Sequence, residues 1–290
     1  MRENDYTRIE SFFNYRPSLI LIYRGVSYVK QYKDITSKEN SIYKLIKALS
    51  QKKVRESNGL FLIEGSRLLE EANSRGVKIK YLIINETVEN VPKINQGCQV
   101  LRLPNNLFKE VSDTVSPQGI IAVAEQIEMS LADIILGANP LVVVLNGVQD
   151  PGNLGTIIRT SAAAGATAVL LTKGTVDLFN PKVIRSTMGS LFQVPIVNGL
   201  DDEEAVKWLS HNSINIIVAD LDSEEYYYSV NLKEPFALVI GNENRGPNDI
   251  WRKAAYKQIK IPILGSTESL NASVATGIIL YDAIRQRWCK

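Results

Sequence analysis

The chain has 290 residues, 45% of them apolar and 22% charged, which is enough for hydrophobic cores in two domains and excludes a largely disordered polypeptide. Two cysteines, Cys98 and Cys289, and one histidine, His211, exclude a disulfide framework and a zinc cluster, so metal-free chemistry is expected. A net charge of +2 is too small to signal nucleic-acid binding, so any electrostatic footprint must be local.

Residues 1–35 carry Phe12, Phe13 and Tyr15 without a clear period and read as an extension of unassigned role. The apolar run Leu19 to Tyr23 is far short of the ~20 residues that span a bilayer. Acidic Glu3 and Asp5 precede it and no small-residue cleavage site follows, so a cytoplasmic protein is expected, with no membrane partner.

From Ser41, the residues Ile42, Leu45, Ile46 and Leu49 recur at i, i+3, i+4 and i+7, which marks an amphipathic helix with its lysines outward. Lys44, Lys47, Lys52, Lys53 and Arg55 crowd this stretch, and Arg285, Arg287 and Lys290 crowd the C-terminal end. Taken alone, each cluster reads first as a solvated face and second as an RNA contact. Strand-like runs at Leu60 to Ile63, Ile79 to Ile84 and Ile120 to Ala124 alternate with helical stretches around Arg67 to Ala72 and Asn106 to Val111. They describe a small α/β domain over 36–128, closed by a polar linker over 129–140.

In the second half, 141–290, the runs Leu141 to Leu145, Ala168 to Leu171, Ile214 to Ala219 and Phe236 to Ile240 are continuously apolar, as in strands buried on both faces of a parallel sheet. Asn180-Pro181 is a helix start, with Asn as cap and Pro at the first helical position. Ligands of such sheets bind beyond the carboxyl ends of the strands, so the loops there should hold the chemistry.

The first such loop reads Asn146-Gly147-Val148-Gln149-Asp150-Pro151-Gly152-Asn153-Leu154-Gly155 and continues to Arg159. It is neither the GxGxxG dinucleotide fingerprint nor a phosphate-binding P-loop, which disfavours an ordinary nucleotide enzyme or Rossmann oxidoreductase. Asn153 can cap the following helix, with Arg159 reaching back toward the loop; a capped helix with one surface arginine explains the segment equally well. The second loop reads Gly241-Asn242-Glu243-Asn244-Arg245-Gly246-Pro247, where the glycines allow close backbone approach and Glu243 sits in the crevice, although a plain turn before a helix also fits. The third, Ile261 to Ala275, presents Ser269 and Asn271 at the start of a helix rich in small residues.

Jointly, these segments resemble the three signature motifs of the SpoU (TrmH-type) family of RNA 2′-O-ribose methyltransferases, within the SPOUT superfamily, over roughly 141–288. The segment from Asn180 to Ser190 looks like the same family. Gly59 to Gly65 and Ser116 to Ile120 look more loosely like its ribosomal-protein-like substrate-binding domain. The resemblance implies S-adenosylmethionine as cofactor, RNA as partner, and a deep trefoil knot, which is too rare for sequence physics to suggest. It also implies a homodimer through the knot and the C-terminal helix, whose Ala272, Ala275, Gly277 and Ala283 suit an interface. Ala272 departs from the β-branched residue of many relatives.

By carry-over, Gly241, Ile261 and Leu270 hold the cofactor, with Thr172 at the pocket edge and Ile240, Asn242 and Gly265 beside them. Arg159, Asn153, Glu243, Ser269 and Asn271 form the catalytic set. The family proposal makes the arginine a base, but an arginine is effectively always protonated. Arg159 is better suited to clamp an RNA phosphate, with Glu243 holding Arg159 or the ribose in register. Lys182 and Arg185 join the lysine-rich helix as RNA contacts. Ribosomal RNA, 23S in particular, is the expected substrate; transfer RNA and a catalytically inactive assembly protein are the alternatives.

Overall fold

The computed structural model describes residues 32–94 and 97–288, and the expected N-terminal extension falls outside it up to residue 31. The chain opens with the edge strand β1 (Lys33–Asp34) and the helices α1 (Ser41–Ala48) and α2 (Lys52–Asn58). Buried Ile35 follows β1, so the first sheet starts ahead of residue 36; two residues of strand are too few to show a period. The Asn40 side chain caps α1 by accepting from the backbone N–H groups of Ile42 and Tyr43, and the apolar stripe buries Tyr43, Ile46 and Leu49.

Helix α2 ends at Gly59, whose φ of 62° is the left-handed conformation a glycine adopts without Cβ strain. The chain then passes through β2 (Leu60–Glu64), α3 (Ser66–Ser74), β3 (Ile79–Asn85), β4 (Gln99–Leu103), α4 (Asn105–Val111) and β5 (Ile120–Glu125). These strands make a mixed sheet of order β1-β4-β3-β5-β2, with β5 antiparallel to both its neighbours. The apolar pattern passes over β4 because Arg102 interrupts it between Leu101 and Leu103, its side chain pairing with Asp34, its register neighbour on β1.

The second half runs β6 (Leu141–Leu145), α5 (Pro151–Ala163), β7 (Ala168–Thr172), α6 (Pro181–Thr187), β8 (Ile196–Leu200), α7 (Asp202–His211), β9 (Asn215–Ala219), β10 (Phe236–Ile240), α8 (Asp249–Ala254), β11 (Lys257–Ile259) and α9 (Ala272–Trp288). All six strands are parallel, in the order β11-β9-β10-β6-β7-β8. The four continuous apolar runs are its four inner strands, β9, β10, β6 and β7. The two strands the runs do not reveal, β8 and β11, are the edges, which need burial on fewer sides.

The chain winds from β6 outward to β8 and returns on the far side of β6 through β9 and β10, so strand order switches between β6 and β10. A crevice outside the carboxyl ends of those strands is where such sheets bind ligands. One apolar cluster joins the two halves: it runs from Phe61 and Ile63 of β2 through Leu141, Val143 and Leu145 of β6 to Ile279 and Ala283 of α9. The rings of Phe61 and Phe179 meet across the junction at 4.8 Å. Core continuity of this kind docks the two halves on each other rather than leaving them tethered by a linker.

Candidate active site

Beside the switch point, a cavity of about 540 Å³ opens beyond β9, β10 and β11. That is the size of a small-molecule site, about 300 to 1,000 Å³. Ile240, Ile259, Ile261 and Ile279 give it an apolar wall, while Asn153, Gly241 to Gly246, Ser269 and Asn271 give it polar loops. Gly241 is required here by its own loop: a Cβ would lie 2.0 Å from Pro247 N and 2.1 Å from the Gly246 carbonyl carbon. Asn242 and Gly246 exchange backbone hydrogen bonds, which folds the loop back onto Gly241.

The three loops are joined by one chain of side-chain amides. Asn153 Nδ2 donates to Glu243 Oε1 at 3.0 Å, and Asn271 Nδ2 donates to Asn153 Oδ1 at 2.8 Å. Asn271 Oδ1 in turn accepts from Ser273 N at 2.9 Å, at the start of α9. The amide orientations are fixed from both ends. An ionised carboxylate only accepts and a helix N-terminus only donates, so each Asn can face its neighbours in one way.

Glu243 also accepts from the backbone N–H groups of Gln149 and Asp150, both at 3.1 Å. Its carboxyl loses some hydration by partial burial, which raises its pKa, but the hydrogen bonds from Asn153, Gln149 and Asp150 outweigh this and hold it below the usual carboxylate value of 4.5. It is therefore an ionised acceptor at neutral pH and a poor proton acceptor for a substrate.

Asp150, not Asn153, caps α5: its side chain accepts from Asn153 N, with Pro151 at the first helical position. Asn153 is thus freed for the cavity, where it is 8% exposed. Arg159 does not join the cluster and does not line the cavity. Six residues further along α5 it lies about 9 Å along the axis and on another face. It stands exposed, and its guanidinium makes no hydrogen bond or ion pair to any described residue, so Glu243 holds Asn153 and the first loop rather than Arg159.

Ile240, Asn242, Ile261, Leu270 and Ser269 do line the cavity. Thr172 and Gly265 do not. Thr172 is buried behind the first loop, where its hydroxyl accepts from Asn146 Nδ2 at 3.1 Å, and Gly265 stands exposed in open space. The sequence reading misses Asp220, a buried wall residue that accepts from Arg252 Nε at 2.6 Å. Its position just beyond strand β9 is the available signal.

Among the expected RNA contacts, Lys53 is exposed and unpaired, while Lys44, Lys47 and Lys52 pair with Glu39, Glu110 and Glu56. Lys182 lies 4.0 Å from Asp150, and Arg185 pairs with Asp113. These pairs are largely exposed, so each holds its cation only weakly. Arg55 is different and the expectation for it is corrected: it is 2% exposed and turned into the molecule. The helix break at Ser50 and Gln51 takes this stretch out of the α1 register, and within α2 it is Arg55 that faces in while Lys52 and Lys53 face out.

Among the described residues, no group of His, Cys, Asp or Glu could hold a metal ion, and no helix is long and apolar enough to cross a membrane.

The family model of the SpoU rRNA Methylase family matches residues 140–281, and that of the MRM3-like substrate binding domain matches residues 40–122. The chain is 35% identical over 249 residues to the 23S rRNA (guanosine(2553)-2'-O)-methyltransferase RlmP of Bacillus subtilis, covering 86% of this chain and 98% of that protein. Its fold is similar to the AdoMet-bound rRNA methyltransferase from Sinorhizobium meliloti, with a TM-score of 0.80 and 34% identity, over 88% of this chain and 98% of that one. The SpoU methyltransferase AviRb from Streptomyces viridochromogenes, in complex with AdoMet, is similar at a TM-score of 0.80 and 28% identity, over 87% and 99% of the two chains.

Proposed function

Since the chain belongs to the SpoU rRNA methylase family, we propose that it transfers a methyl group from S-adenosylmethionine to a ribose 2′-hydroxyl of 23S ribosomal RNA. The observation that carries this reading is the amide chain through Asn271, Asn153 and Glu243, which ties three loops together at the edge of one cavity.

The cavity fits the donor: its isoleucine wall suits a purine, and its loop backbone and the Ser269 and Asn271 side chains suit the hydroxyl and amino-acid ends. When bound, the donor supplies an electrophilic methyl group for an in-line displacement, so the protein's task is to hold the sugar oxygen in line. Asn153 and Asn271 each have one amide N–H beyond those used within the chain, and these orient the ribose. With Glu243 engaged by three donors, the hydroxyl proton leaves to solvent or to a phosphate oxygen.

Arg159, exposed with its guanidinium unengaged and turned away from the cavity of its own chain, clamps an RNA phosphate rather than the reacting oxygen. Arg159→Lys keeps the charge but loses the planar fork, and kcat is expected to fall by about 10-fold or more. Near-normal turnover in single-turnover assays would rule the clamp out.

The first half of the chain, over 36–128, grips structured RNA by shape and phosphates, with Lys53 as its available cation and Lys182 of α6 adding a second from the other half. Replacing both by alanine is expected to lower the slope of log affinity against log salt by about 1 per residue, with donor binding intact. An unchanged slope removes them from the interface.

A deep trefoil knot in the last segment and a homodimer through α9 belong to the same reading. Support for the dimer comes from Val274, Tyr281 and Trp288, which leave 50%, 52% and 82% of their surface exposed on that helix.

Mapping ribose methylation across total RNA from cells lacking the gene tests the function. One 23S 2′-O-methyl group should vanish. Loss in transfer RNA would correct the substrate, and an unchanged map would sink the proposal.

A further inference from the structure

Arg55, which the sequence groups with the RNA-facing lysines, has a different set of partners. Its side chain is 3% exposed, and it lies against the carboxylate of Asp177, whose side chain is 11% exposed and belongs to the other half of the chain. Nε donates to Asp177 Oδ2 at 3.0 Å and Nη2 donates to the same oxygen. Nη1 donates to the backbone carbonyls of Leu49 and Ser50, both at 2.7 Å. Four of the five donors of the guanidinium are thereby used, two within the α1–α2 turn and two across the domain junction.

Asp177 stands directly behind the catalytic loop. The neighbouring Val176 N donates to Val148 O at 2.9 Å, and the Thr175 hydroxyl donates to Leu145 O at 3.0 Å while accepting from Gly147 N at 3.3 Å. Just past Val148, the backbone N–H groups of Gln149 and Asp150 are held by Glu243. A continuous path therefore runs from α2 through Asp177, Val176 and Val148 to the loop that Glu243 and Asn153 share.

A buried ion pair adds little net stability over apolar side chains of similar volume, because desolvating both charges offsets their attraction. Apolar packing already docks the halves, through Phe61 against Phe179 and the shared core. What packing cannot supply is a fixed direction, whereas a guanidinium with four defined bonds can.

We propose that Arg55 and Asp177 are a positioning pair, which sets the RNA-gripping half in register with the catalytic loop and holds that loop in its reactive shape. The inference rests on the methyltransferase reading for its catalytic consequence, and on geometry alone for the coupling.

The test is the double variant Arg55→Met with Asp177→Asn, which removes both charges together and keeps an acceptor for Phe179 N, held by Asp177 Oδ1 at 3.0 Å. Asp177→Asn alone is carried alongside it, so that a fold defect in one protein does not end the test. S-adenosylmethionine affinity, read by calorimetry, is expected to stay within about 2-fold, because the pair touches none of the cavity lining. The kcat on ribosomal RNA is expected to fall by about 10-fold to 100-fold. Hydrogen exchange over 145–150 and 174–178 is expected to rise by about 10-fold.

A mere structural staple would lower the melting temperature and leave both the kcat of the folded protein and the exchange of 145–150 where they were, which overturns the proposal. A fall in kcat without faster exchange, or the reverse, overturns it as well, since the loss must travel through the loop. A parent protein that methylates no ribosomal RNA would instead sink the methyltransferase reading, and exchange would then decide the coupling by itself.

Discussion

Gly241→Ala is expected to weaken S-adenosylmethionine binding by about 100-fold or more, the loss of a few kcal/mol of pocket geometry. The added methyl would sit 2.0 Å from Pro247 N and 2.1 Å from the Gly246 carbonyl carbon, far inside any real contact. Both neighbours are backbone, so no side chain can rotate out of the way. Relief requires opening the Asn242–Gly246 turn, which carries Glu243 and one wall of the cavity. Gly265→Ala is the control: a Cβ there meets nothing within 4 Å, and binding should not change. Titration calorimetry on the two variants reads the difference, and a Gly241→Ala protein that binds as the parent does would mean that the donor sits elsewhere.

Asn153→Asp is expected to lower kcat at neutral pH by about 100-fold or more, the scale of losing one preorganised donor. The substitution preserves volume but removes the N–H that reaches Glu243 at 3.0 Å and sets two carboxylates face to face. Like charges at this range raise the pKa of one partner, so the pair takes up a proton more readily than either acid alone. A proton on the introduced carboxyl would restore a donor toward Glu243. The variant's kcat should therefore recover as pH falls toward the acid range, while the parent, whose Glu243 is held below 4.5, gains nothing there. A variant whose rate is flat or falls with acidity would show that the Asn153 to Glu243 hydrogen bond is not what the reaction needs.

The residue types of the first two loops are legible because each follows a strand whose apolar run announces it, whereas the third follows β11, which no run reveals, and shows itself only by Ser269 and Asn271 ahead of a helix. Glu243 and Asn153 can be placed near one another from that logic alone. Their direct bond cannot, since it depends on Asp150 taking the capping role that the sequence equally offers to Asn153. Arg159 is legible as a polar residue near the loop, but helical rotation carries it away from the cavity of its own chain.

Arg55 shows a different limit. Its neighbours Lys52 and Lys53 are outward and basic, and a short break between two helices is enough to turn it inward to a partner 122 residues away. Long-range pairs of this kind leave no local period. The edge strands β8 and β11 are illegible for a related reason, because a strand flanked on one side carries less apolar sequence than one buried on both.

Transfer of a methyl group from a sulfonium donor to a sugar oxygen is the step on which every role assigned above depends. The most direct measurement incubates the protein with methyl-labelled S-adenosylmethionine and ribosomal RNA, digests the RNA to nucleosides and locates the label. Label is expected in a single 2′-O-methylnucleoside, and is expected to be lost with Asn153→Asp at neutral pH. Label on a base, or no transfer from a protein that binds the donor, would contradict it.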